Sequence, residues 1–152
     1  MPRALSPIAI GTGELLREGD GKVAIVGYGT GVQKAIEAAD LLAEGGIDVT
    51  VADARFAKPI DARLMAQLAA EHELLVTVEE GVLAGGFGSA VWETVSDGGV
   101  HVPRVLRVGL PDRYVTHGAP KLLHQEVGFT GAAIAERIEA AVLDPRGSLA
   151  GA

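Results

Sequence analysis

The sequence predicts an α/β domain of three layers, a mainly parallel sheet of about five strands with helices on both faces. Two observations carry that expectation. Apolar runs bounded by glycines have the composition of strands buried on both sides. Between them lie stretches with helical spacing of apolar residues, and the connections are long enough for right-handed crossovers.

Taken in order, residues 1–13 carry Pro2, Pro7, Gly11 and Gly13 and read as a linker from a preceding domain. A short strand is expected at 14–17. Residues 22–27 (KVAIVG) form the first fully buried strand. Val32, Ala35, Ile36, Ala39, Leu42 and Ala43 then recur on one helical stripe, which Gly45-Gly46 ends. Residues 47–52 alternate and are rich in β-branched side chains, so they read as a strand. Asp61 is placed to cap a helix carrying Leu64, Met65, Leu68 and Ala69. A strand at 74–78 leads through a glycine-rich loop, 81–88, into a helix with Val91, Trp92 and Val95. Another strand covers 104–108 and a loop 111–120. A short helix spans 121–127, and Thr130 caps the last helix, which bears Ile134, Ile138 and Val142. The domain is expected over 14–144, with a flexible tail at 145–152.

Composition removes several function classes. The net charge of −7 lacks the basic excess of a nucleic-acid footprint, so no nucleic-acid partner is expected. Without cysteine there is no disulfide, thiolate nucleophile or Cys-bound metal. Neither a signal peptide nor an apolar run near the ~20 residues of a membrane span is seen, so no membrane partner and a cytoplasmic location are expected.

The loops that follow the strands hold the candidate chemistry, because ligands of open α/β sheets bind beyond the carboxyl ends of the strands. Gly27-Tyr28-Gly29-Thr30-Gly31 invites a nucleotide reading, but Val32 stands where the dinucleotide fingerprint needs glycine or alanine; a tight turn with close helix packing is favoured. Gly85-Gly86-Phe87-Gly88-Ser89 also opens a helix. Glu79 and Glu80 just before it would repel an anion, so it reads as a place where another chain approaches, with Phe87 as anchor. His72, His101, His117 and His124 lack metal-ligand spacing; His72 suits a helix C-terminus, and His117 could pair with Asp112. No serine has a nucleophile-elbow context. No catalytic, cofactor-binding or metal-ligating set is therefore expected. Arg55, Lys58, Glu79, Glu80, Phe87, Asp112 and His117 are expected on one face that meets another domain or a second subunit. The alternative is that they satisfy one another internally, for example Arg55 with Glu79.

Three segments carry a resemblance. Asp53-Ala54-Arg55-Phe56-Ala57-Lys58-Pro59-Ile60-Asp61, then Val76-Thr77-Val78-Glu79-Glu80 with Gly85-Gly86-Phe87-Gly88-Ser89, then Gly109-Leu110-Pro111-Asp112-Arg113-Tyr114-Val115-Thr116-His117-Gly118 occur in order. Together, over most of 11–143, the chain resembles the C-terminal domain of the 1-deoxy-D-xylulose-5-phosphate synthases, thiamine-diphosphate enzymes of the transketolase class. The first two segments are shared more loosely with 2-oxoacid dehydrogenase β subunits and transketolases; the Leu-Pro-Asp-Arg-Tyr loop with His-Gly is the discriminating one.

The resemblance implies three domains per chain and a homodimer. It also implies thiamine diphosphate and magnesium held by the two preceding domains, and a reaction joining pyruvate to glyceraldehyde 3-phosphate with loss of carbon dioxide. It implies that this domain supports the dimer and is inactive alone. Gly19-Asp20-Gly21 imitates the start of the family's metal motif without its downstream asparagine. Pro2-Arg3 looks like the remnant of a segment whose arginine holds the substrate phosphate, with Ala4 in place of glycine. The competing readings are the C-terminal domain of a 2-oxoacid dehydrogenase β subunit and a freestanding nucleotide-binding module.

Overall fold

The computed structural model describes residues 7–99, 101, 103–115 and 117–147. Its strands are β1 (Glu14–Arg17), β2 (Val23–Tyr28), β3 (Thr50–Asp53), β4 (Leu74–Val82) and β5 (Arg104–Leu110). Its helices are α1 (Gly31–Glu44), α2 (Ala62–Glu71), α3 (Phe87–Asp97), α4 (Pro120–Glu126) and α5 (Gly131–Leu143). The five strands form one sheet in the order β1-β3-β2-β4-β5. Every pairing is parallel except that of β1 with β3, which is antiparallel and slips between Leu15 and Arg17. The expected fold class, a mainly parallel three-layer α/β sheet, is the one observed.

Alternation along β2 shows why the run had to be apolar throughout. Val23 and Ile25 join the core beneath α1 and α5, with Val51, Val76, Leu106, Ile134 and Ile138. Ala24 and Val26 join the opposite core beneath α2 and α3, with Met65, Leu68, Val91 and Val95. Successive strand side chains point to opposite faces, and both faces here are covered.

Asp61 caps α2 by accepting the Leu64 N–H, and Thr130 caps α5 by accepting the Ala133 N–H. The Gly27–Gly31 turn is a packing device. A Cβ on Gly27 would lie 2.5 Å from Val32 Cα, and one on Gly31 would collide with the Val78 carbonyl. Glycine at both positions lets α1 sit directly on β2 and β4.

Three strands differ from expectation by more than one residue, β5 among them, which runs to Leu110 rather than 108. β3 begins at Thr50 rather than 47, because Ile47 donates its N–H back to the Leu42 carbonyl and closes the end of α1. β4 runs four residues beyond 78, to Val82, through Glu79 and Glu80.

Candidate functional site

Parallel order brings the loops after β2, β3, β4 and β5 to one end of the sheet. Across this end the loop of Arg55 and Lys58, after β3, is separated from that of Asp112 and His117, after β5, by β2 and β4. At about 4.8 Å per strand step, the sites form a row roughly 14 Å long rather than a cluster.

The adjacent carboxylates of Glu79 and Glu80 are split by the strand. Glu79 follows Leu75 and Thr77 onto the α2/α3 face, where it is 4% exposed. Its two oxygens accept the N–H groups of Phe87 (2.7 Å) and Gly88 (2.8 Å), the first residues of α3. A carboxylate is well suited to those orphan donors at the positive end of the helix. Glu79 is thus spent inside the domain and is withdrawn from the expected interface.

Phe87 is withdrawn too. It is buried and stacks on Tyr28, ring centroids 5.1 Å apart. The approach that the glycines of this loop allow comes from within the chain. Cβ atoms on Gly86 and Gly88 would meet Glu79 Oε2 at 2.5 Å and Thr77 Oγ1 at 2.6 Å.

Glu80 follows Val76 and Val78 onto the other face. It accepts the Thr30 hydroxyl through Oε2 and the His124 Nε2–H through Oε1 at 2.8 Å. Its side chain stays about one-third exposed. The Thr30 bond first, and the His124 bond second, hold its carboxyl below the ordinary carboxylate range, against a smaller opposing effect of burial. The sequence offered no pairing for His124. On α4 it bridges to β4 and lays its ring edge-on to buried Phe129, centroids 5.2 Å apart.

Between this network, the end of β5 and α4 lies a cavity of about 390 Å³, walled by Leu110, Val115, Leu123 and Val127 with Tyr114 and His117 near its mouth. Tyr114 is 88% exposed. His117 and Asp112 are exposed, and among the described residues no hydrogen bond joins them.

Arg55 takes φ 56°, a left-handed conformation uncommon for a residue with a side chain. The Asp53 carboxylate accepts its N–H at 2.8 Å, and its guanidinium pairs with Glu14 on β1, not with Glu79. Lys58 is exposed. His72 ends α2 as expected but is buried. Its Nδ1–H donates to the Leu68 carbonyl at 2.9 Å, which leaves Nε2 to accept the Thr50 hydroxyl at 2.8 Å. Arg3, the expected phosphate ligand, lies outside the described residues.

The N-terminus of α3 does not fit a cofactor diphosphate, because the Glu79 carboxylate already takes the first two N–H groups of the helix. Among the described residues, no three metal-ligating side chains gather. No helix among them is long and apolar enough to cross a membrane.

Comparison with known proteins adds the following. The family described as "Transketolase, C-terminal domain" matches residues 11–134. A 1-deoxy-D-xylulose-5-phosphate synthase of Synechococcus sp. (strain JA-3-3Ab) is 50% identical over 136 residues, 90% of this chain and 21% of that protein. The synthase of Trichormus variabilis (strain ATCC 29413 / PCC 7937) is 48% identical over 138 residues, 91% of this chain and 21% of that protein. The chain thus spans about a fifth of the length of the curated relatives it matches. A solved structure described as "Split gene transketolase, inactive beta4 tetramer" has a TM-score of 0.82 at 34% identity, covering 93% of this chain and 46% of that one. A transketolase mutant from Pichia Stipitis shares the fold at 18% identity, with a TM-score of 0.64 over 91% of this chain and 19% of its own.

Proposed function

The chain belongs to the transketolase C-terminal domain family, and from that premise we propose that it is the C-terminal domain of a 1-deoxy-D-xylulose-5-phosphate synthase. In that enzyme, pyruvate and glyceraldehyde 3-phosphate yield 1-deoxy-D-xylulose 5-phosphate and carbon dioxide, a step towards isoprenoids and thiamine. The observation that carries the reading is half-identity to such synthases over nine-tenths of the chain. It extends across the Leu110-Pro111-Asp112-Arg113-Tyr114 loop, which separates the synthases from the dehydrogenase β subunits.

The reading assigns this domain a supporting role. Thiamine diphosphate and magnesium belong to the preceding domains, consistent with an α3 start that is closed by the chain's own Glu79. The strand-end row of Arg55, Lys58, Glu80, Asp112 and His117 meets those domains or the second subunit of a homodimer, in the cytoplasm. The left-handed Arg55 favours this, since strained residues persist where the surroundings hold them for a purpose.

A chimaera tests the reading. This chain replaces the matching C-terminal segment of the Synechococcus synthase, and pyruvate-dependent formation of the five-carbon product is measured. Retained activity is expected. A chimaera that assembles as the parent does but makes no product overturns the assignment. Calorimetry on the chain alone, with thiamine diphosphate and magnesium, is expected to show no binding, and a micromolar dissociation constant would refute the supporting role.

A further inference from the structure

The cavity beside α4 is lined by both aliphatic and ionisable side chains. Leu110, Val115, Leu123 and Val127 give aliphatic walls, and polar groups enter mainly from the Glu80–His124 pair and from His117 near the mouth. Among the described residues no lysine or arginine lines it. The Glu80 carboxylate is therefore an anion at one end of an apolar cleft, braced by two donors and unmatched there by a fixed cation.

Each carboxylate oxygen carries two lone pairs, and each uses one, on Thr30 or on His124. Among the described residues one acceptor site per oxygen is left over, and the side chain remains about one-third exposed. Ionisation is secured by the same two bonds, which lower the carboxyl's affinity for a proton. The neighbouring Tyr114 offers an exposed ring.

We propose that this cavity receives an arginine side chain of a neighbouring polypeptide, its methylene stem along Leu110, Leu123 and Val127 and its guanidinium on the free acceptor sites of Glu80. This rests on the strand-end face being a contact surface, and not on which reaction the whole enzyme performs. A guanidinium fits better than an ammonium. It is planar, can engage both oxygens, is weakly hydrated and stacks on aromatic rings such as Tyr114. An anionic ligand would meet Glu80, and a wholly apolar one would leave the carboxylate with unfilled acceptor sites in a drier cleft. The chain's overall charge of −7 favours a basic partner over an acidic one.

The test uses the chain itself and Nα-acetyl-arginine-N-methylamide, followed by 15N and methyl NMR. The norleucine, lysine and glutamate analogues serve as controls. Saturable shifts are expected at Glu80, Leu110, Leu123 and His124, with a millimolar dissociation constant, as one side chain detached from its interface would give. The lysine analogue should bind more weakly, and the norleucine and glutamate analogues should leave these signals unmoved.

Glu80→Gln should weaken the arginine analogue by about tenfold. Val115→Trp, which fills the cavity and leaves the Thr30–Glu80–His124 network in place, should abolish binding, and it decides the matter should Glu80→Gln unfold. Absence of saturable shifts in the wild type overturns the proposal, as does equal binding by the norleucine analogue or undiminished binding by Val115→Trp. An active chimaera combined with a chain that ignores the arginine analogue would sink this inference alone and leave the assignment above intact.

Discussion

Replacing Glu79 by alanine strips the N-terminus of α3 of its cap from a distance of eight residues. Two backbone N–H groups lose acceptors at 2.7 and 2.8 Å. Hydrogen bonds to a charged group contribute about 1.5–3 kcal/mol each in net terms. Part of that is offset, because the variant no longer confines a carboxylate at 4% exposure and water can enter the vacated space. The expected net loss is about 2–4 kcal/mol, or roughly 5–15 °C in melting temperature for a chain of this length. Glu79→Gln keeps one acceptor oxygen but turns an amide towards the second donor, so its loss should be smaller than that of the alanine variant. Urea unfolding gives the free energies. Trp92, the chain's single tryptophan and a residue of α3, reports this helix by fluorescence. Hydrogen exchange at Phe87 and Gly88 should accelerate ahead of exchange elsewhere. If both variants unfold within about 0.5 kcal/mol of the wild type, the range of an inconsequential surface change, the capping argument is wrong.

Thr77→Val should be neutral or stabilising by up to about 1 kcal/mol, since the Thr77 hydroxyl is fully buried without a hydrogen-bond partner among the described residues; a loss above that, by urea unfolding, would reveal a bond the hydroxyl makes. Arg55→Ala should cost the isolated chain less than about 1 kcal/mol, because the pair it forms with Glu14 is partly solvated, while weakening assembly and activity of the multidomain chimaera; a loss above ~2 kcal/mol in the isolated chain would make Arg55 an internal strut. The carboxyl of Glu80 binds its proton less tightly in the folded chain than at its ordinary value of 4.5, so its network contributes fully above that pH and is lost as pH falls below it. Glu80→Gln should accordingly flatten the acid side of the stability profile in urea titrations, and an unchanged slope between wild type and variant would refute the assignment of that titration to Glu80.

The fold was legible because its signals are local. Val23 to Val26 had to be apolar to be buried on both faces, and Asp61 and Thr130 are caps recognisable from residue type and place. The row of loops followed from parallel order alone. What stayed hidden was which neighbour each loop side chain would choose. Glu79 and Glu80 looked like one acidic pair until the strand was seen to continue through them. The parity with Thr77 on one side and Val78 on the other is the available signal, and it can be read only if the strand continues past residue 78. His124 gave no signal at all, since its partner lies 44 residues away and depends on how α4 folds back. For Phe87, glycine neighbours signal close approach without saying by whom, and the partner is the chain's own Tyr28.

The direction of β1 has a geometric consequence for whatever polypeptide is joined upstream. Because this strand is antiparallel, Glu14 stands opposite Asp53, at the carboxyl end of β3. The chain before it therefore departs at the end of the sheet that carries Arg55 and Lys58, with Gly11 close against Pro59. Had β1 run parallel, that departure would lie at the far end, and a connector would have to retrace about 13 Å of sheet at roughly 3.3 Å per residue. A short tether at the right end turns docking into an intramolecular event with an effective concentration of order millimolar. A four-residue edge strand so contributes little to the core but would set where a domain attached upstream is held, and would let contacts too weak to persist between separate molecules remain formed.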